Sequence, residues 1–217
     1  MATIFISHSK NDSELVLTMK KILENIGHVP ILEEFINPKN KLPIPYEEIR
    51  NKVELSDYVF LFLTDNVVKT EYTKNWVIYE DGVASAKNKK IFVFERQGTS
   101  IPYPIPYVTS YALFDLNSTT DMLEIQSLSK SIGKFRKDLA TGAAGAAVGS
   151  VFGPVGMILG AIAGYMIGPK PKKQAHPKCN ICNVSFDYYS PHIKEFNCPC
   201  CRNPMSYSED DSINKGN

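Results

Sequence analysis

A chain of 217 residues with 24 Lys and Arg against 23 Asp and Glu carries a formal net charge of +1. That balance excludes recognition of nucleic acid or acidic substrates by a global field, so any partner has to be argued locally. The length exceeds the ~100–150 residues of an ordinary domain and predicts more than one unit.

The opening MATIFISHSKND turns polar too soon for a signal peptide, and a cytoplasmic chain is expected. TIFIS (3–7) and DYVFLFLT (57–64) are apolar on both faces, as strands covered by helices on each side should be. Between them, SELVLTMKKILENIG places Leu15, Met19, Ile22, Leu23 and Ile26 on one helical face, with Asn11 and Glu14 as a capping box and Gly27 as the stop. VPILEEF (29–35) reads as a second strand. A Pro-rich loop, INPKNKLPIP, leads into a short helix with Pro45 near its first turn. Strand 57–64, a helix over about 70–87, strand KIFVFER (90–96), loop IPYPIPY, strand YALFDL (111–116) and a helix from about 120 follow. This alternation predicts an α/β, doubly wound, mainly parallel five-stranded sheet. Ligands bind past the carboxyl ends of such strands, here the loops after Ser7, Phe35 and Thr64.

In NWVIYEDGVASA (75–86), Trp76, Glu80, Val83 and Ala84 share one helical stripe. A carboxylate in that stripe, beside the single tryptophan of the chain, is expected to have its charged form disfavoured. Gly82 in the same helix suggests close approach by a neighbour. A solvated or Lys-paired Glu80 is the plainer reading. Asp65, at the end of an apolar strand, suggests a phospho-accepting receiver, but the first strand ends in Ser7-His8-Ser9, without the acidic residues a receiver needs for its metal.

FISHSKND (5–12), SDYVFLFLTDN (56–66) and NWVIYEDGVASA, in this order, resemble the first strand and loop, the central strand and the Trp-x-x-x-Glu helix of Toll/interleukin-1 receptor (TIR) domains. The resemblance covers about residues 1–135 and implies a TIR/flavodoxin-like fold. It further implies that Glu80 is the catalytic residue of an NAD glycohydrolase, that Phe5, Ser7, His8 and Trp76 bind the substrate NAD, and that loop 36–45 is mobile. Self-association through the TIR domain and a defence or signalling role are implied as well. A non-catalytic TIR scaffold or adaptor, or a membrane effector, is the alternative.

Residues 139–168 carry no charge, and half of them are Gly or Ala. Gly149, Gly153, Gly156, Gly160, Gly164 and Gly168 recur mostly every four residues, which lets helices approach closely. Gly153-Pro154 divides the segment, so a glycine-zipper helical hairpin is expected. Basic flanks favour both ends on one side of a membrane, and a soluble self-association hairpin is the other reading. A Pro/Lys linker (169–178) follows.

All five cysteines fall between 179 and 201. Cys179-x2-Cys182 and Cys198-x2-Cys201 have the spacing of two knuckles that hold a tetrahedral, structural Zn2+. A zinc ribbon over 179–205 and a disordered tail over 206–217 are expected. Cys200, His176 and His192 are substitute ligands, and Asn183 and Arg202 stand where such knuckles often have Gly. The intervening YYSPHIKEF does not decide between nucleic acid and protein as the ribbon's partner.

Overall fold

The computed structural model describes residues 1–32, 46–69, 71–99, 101–132, 175–190 and 192–207. The expected loop 36–45, the glycine-rich hairpin 139–168 and most of the linker and tail lie outside these residues.

The N-terminal part alternates strand and helix: β1 (Thr3–Ser7), α1 (Ser13–Asn25), β2 (Val29–Leu32), α2 (Tyr46–Leu55), β3 (Tyr58–Leu63), the single turn α3 (Asp65–Val68), α4 (Glu71–Ala86), β4 (Lys90–Arg96), β5 (Ser110–Phe114) and α5 (Thr119–Ser131). Three short strands follow: β6 (Asp187–Tyr188), β7 (Glu195–Asn197) and β8 (Pro204–Ser206). The main sheet is parallel, in the order β2-β1-β3-β4-β5-β6. The chain leaves β1 for β2 on one side and returns to β3 on the other, so the switch point lies between the carboxyl ends of β1 and β3.

Strand alternation divides the core. Ile4, Ile6, Phe60, Phe62, Phe92 and Phe94 pack on α1 and α5, whereas Phe5, Val59, Leu61, Leu63, Ile91 and Val93 pack on α2, α3 and α4. Phe5 and Ser7 therefore face the same side as α4.

Helix α1 ends as its Gly27 predicts. Gly27 has φ +84°, its N–H donates to Glu24 O at 3.0 Å, and His28 N–H donates to Leu23 O at 2.9 Å, a Schellman motif. Its start differs from expectation. Asp12, not Asn11, is the N-cap residue, and its side chain makes no capping bond because it is engaged elsewhere.

The main sheet was expected to have five strands and has six among the described residues. The sixth, Asp187–Tyr188, comes from the cysteine-bearing segment and pairs in parallel with Ser110 and Tyr111. It is held there by its neighbour Ser190, whose hydroxyl donates to Leu113 O at 2.7 Å and accepts from Leu113 N at 2.9 Å. Residues on both sides of the expected ribbon also pair or pack: Ala175 pairs with Tyr188, Lys178 with Ser185, β8 runs to Ser206, and Tyr207 is buried. The segment shares the core on the α4 face. Tyr188 stacks on Phe196 at 4.3 Å between centroids, and Tyr111 of β5 meets Phe186 edge-on at 5.8 Å.

Candidate functional site

Of the expected stripe on α4, Trp76, Glu80 and Ala84 are buried and Val83 is half-buried, while Thr73, Val77 and Asp81 are buried beside them. Glu80 points at the carboxyl end of β1, where Ser7 Oγ donates a hydrogen bond to Glu80 Oε2. Ser7 is wholly buried and Glu80 is 1% exposed. His8 follows Ser7 and is also buried; its Nδ1 lies 3.1 Å from Ile6 O. Burial lowers its pKa, against a smaller opposing effect of that carbonyl and of Asp12. A neutral His8 whose Nδ1–H donates to Ile6 O has Nε2 as its acceptor.

The switch-point loops are tied together beneath this group. Asp12 accepts from Thr64 Oγ1 at 2.7 Å and from Asn66 Nδ2 at 2.6 Å, which joins the β1–α1 loop to the start of α3. Trp76, one turn before Glu80, is buried under aromatic rings. Tyr46 stacks on it at 4.6 Å, and Tyr72 and Tyr79 meet it edge-on at 5.9 and 5.6 Å. Phe5 lies in the core on the same face, with no exposed surface. The structure thus brings Ser7 and Glu80 into contact, puts His8 beside Ser7, and places Trp76 on the same helix and Phe5 on the same strand. Among the described residues Gly82 marks no close approach: a Cβ built there would meet nothing within 4 Å.

The burial of the residue after Glu80 on the helix, also a carboxylate, escaped the sequence reading. Asp81, 1% exposed, faces away from Ser7 toward the segment between β4 and β5, where Tyr107 N–H donates to its Oδ2 at 3.4 Å. Burial pushes its pKa up to about 7, and the Tyr107 bond only partly opposes this. Its own sequence neighbours carried no such signal, because the contact comes from 26 residues away.

The four expected cysteines converge. Sγ atoms of Cys179, Cys182, Cys198 and Cys201 lie within 4.8 Å of one another, with Cys179–Cys201 at 3.6 Å and Cys182–Cys198 at 3.7 Å. A tetrahedron with zinc–sulfur bonds of 2.3 Å has edges of about 3.8 Å, so the set fits such a metal. The knuckles repeat one backbone pattern: Asn183 N–H to Cys179 O at 2.9 Å and Arg202 N–H to Cys198 O at 2.8 Å. Asn183 and Arg202 adopt the left-handed φ of +59° and +61° that Gly would take more readily.

Cys200 is not part of the set, and burial, with Cys182 and Asp81 nearby, pushes its thiol up to about 12. His176 and His192 lie elsewhere. His176 Nδ1 is 2.8 Å from Asp187, and the His192 ring sits between Asp121 and Glu124 at 3.5 and 3.8 Å.

Arg202 also reaches out of its knuckle. Its guanidinium holds Glu95 of β4 through two bonds of 2.6 and 2.9 Å, and Tyr111 Oη donates to the same carboxylate at 2.9 Å. The pair spans 107 residues, with Glu95 buried and Arg202 half-buried.

No curated protein matches the chain. Among solved structures it is similar to the CMP N-glycosidase BcmB of Clostridium botulinum, at 17% identity and a TM-score of 0.39, over 57% of this chain and 96% of that one. Residues 4–128 match the family described as TIR domain. More than half of the sequence, including β1 with Ser7 and α4 with Glu80, falls within that match, and the chain belongs to the TIR domain family.

Proposed function

We propose that the chain is an NAD glycohydrolase of the TIR type, with Glu80 as its catalytic residue. The observation that carries this reading is the buried contact between Ser7 at the end of β1 and Glu80 on α4, at the switch point of a parallel sheet. Cleavage breaks the bond between ribose C1′ and the nicotinamide nitrogen. The electron pair leaves with nicotinamide, which departs neutral and needs no general acid. The ribose becomes oxocarbenium-like, and water adds to it with loss of a proton. A carboxylate fixed beside the ribose stabilises charge that develops only in the transition state.

Ser7 orients Glu80 in this reading, and His8 and Trp76 border the substrate. Phe5 backs the site from the core. Because Glu80 and Trp76 are 1% and 6% exposed, substrate has to displace covering side chains, Tyr46 on Trp76 among them. Self-association through the TIR domain and residues 139–168 would supply that rearrangement. Zinc in the four-cysteine set has a structural role, since four thiolates leave no open coordination position.

The same burial favours a second reading, a TIR scaffold whose site stays closed. The two separate on incubation of the full chain with NAD and a panel of nucleoside monophosphates, beside a Glu80→Gln variant of the same oligomeric state. Nicotinamide release by wild type that falls at least 100-fold in the variant supports the enzyme. An assembled wild type that leaves NAD intact supports the scaffold. Base release from the monophosphates alone would change the substrate and keep the role of Glu80.

A further inference from the structure

Named contacts tie the four-cysteine centre to β4 and β5 by one route and to the helix carrying Glu80 by another. Arg202 follows Cys201 directly and holds a left-handed φ, with its N–H on Cys198 O at 2.8 Å. Its side chain supplies the cation for Glu95, which is 4% exposed in β4. Through Tyr111, the same carboxylate reaches β5. The second route starts at Pro199, between two of the cysteines, whose carbonyl accepts Ile105 N–H at 2.9 Å. Two residues on, Tyr107 N–H meets Asp81, the neighbour of Glu80 on α4.

Both routes depend on the knuckles keeping their shape. Without a cation nothing draws the four sulfurs together, and a small cysteine-rich segment takes its folding energy from the metal. Once the knuckle relaxes, nothing local favours a left-handed arginine. The guanidinium then leaves Glu95 as an uncompensated buried charge, and Pro199 releases the loop at Ile105. We propose that the metal state of the four-cysteine centre controls the order of residues 101–114 and, through Tyr107 and Asp81, of α4. The centre is thereby a metal-responsive regulator built into the domain. Its effect on catalysis rests on the reading of Glu80 above; the linkage itself does not.

Amide hydrogen exchange on the full chain, zinc-loaded and after chelation with metal content measured, tests the linkage without reference to activity. The expected result is at least tenfold faster exchange over 101–114, a smaller increase over 71–86, and unchanged protection in β1 and β3. Change confined to 175–207 overturns the proposal, and so does an even loss of protection through β1 and β3. Chelation requires no variant to fold. An Arg202→Met variant that retains one zinc per chain then isolates the first route: exchange over 101–114 should rise at least threefold with metal still bound. Wild-type exchange there would remove Arg202 from the pathway.

Discussion

Glu80 and Asp81 are adjacent on one helix, but about 100° apart around it, and the two carboxylates meet different surroundings. Glu80 receives the Ser7 hydroxyl, whereas Asp81 Oδ1 has no hydrogen-bond partner among the described residues. Burial raises the Asp81 pKa from the ordinary 3.8 to about 7 on folding. The folded state therefore holds a proton that the unfolded state releases. The stabilisation is complete below about 4 and disappears as the pH rises through 7. An Asp81→Asn variant should lose this dependence: its melting temperature is expected to exceed that of wild type by about 5 °C at pH 8 and to converge with it near pH 4. A constant difference at both pH values would show that Asp81 does not titrate in this range. Glu80 was legible in the sequence because its stripe and tryptophan lie within one helix. Asp81 was not, since the chain that buries it folds back from residue 107.

At the scale of elements, pattern was sufficient wherever a segment was long enough to carry one. The five N-terminal strands and the helices packed on them have a period of two or of 3.6 that survives in sequence. β6 contains two residues and no period, so its place at the sheet edge follows only from what surrounds it. The glycine in α4 was misread for a related reason. Gly82 was expected to admit a neighbour, yet a Cβ there meets nothing within 4 Å, and its φ is not in the left-handed region. It therefore carries the entropic cost of glycine without a packing benefit. Gly82→Ala is expected to stabilise the chain by about 0.5–1 kcal/mol in urea unfolding. Destabilisation of similar size would reveal a neighbour from outside the described residues.

In the molecule as a whole, composition separated a TIR-like part from a cysteine-rich part, but the two share one core. The junction is polar as well as aromatic, and the charge pair Glu95–Arg202 could not be found from residues 107 apart in sequence. Removing one partner from a buried pair costs about 3–5 kcal/mol, while replacing both by apolar groups is often neutral. Arg202→Ala should therefore unfold at much lower urea than wild type, and Glu95→Leu with Arg202→Met should recover most of the loss. Equal stability of Arg202→Ala and wild type would mean that the pair is screened by water.

No helix among the described residues is long and apolar enough to cross a membrane, and the glycine-rich segment lies outside them. The NAD reading does not depend on that segment's environment. Its central claim is that one carboxylate, held by Ser7, performs the chemistry. The most direct measurement is the initial rate of nicotinamide release from NAD by the concentrated, zinc-loaded full chain, taken across protein concentration beside Glu80→Ala. The account predicts release that rises with self-association in wild type and falls at least 100-fold in a folded variant. Equal rates in both proteins, or no release from an assembled wild type, would contradict it.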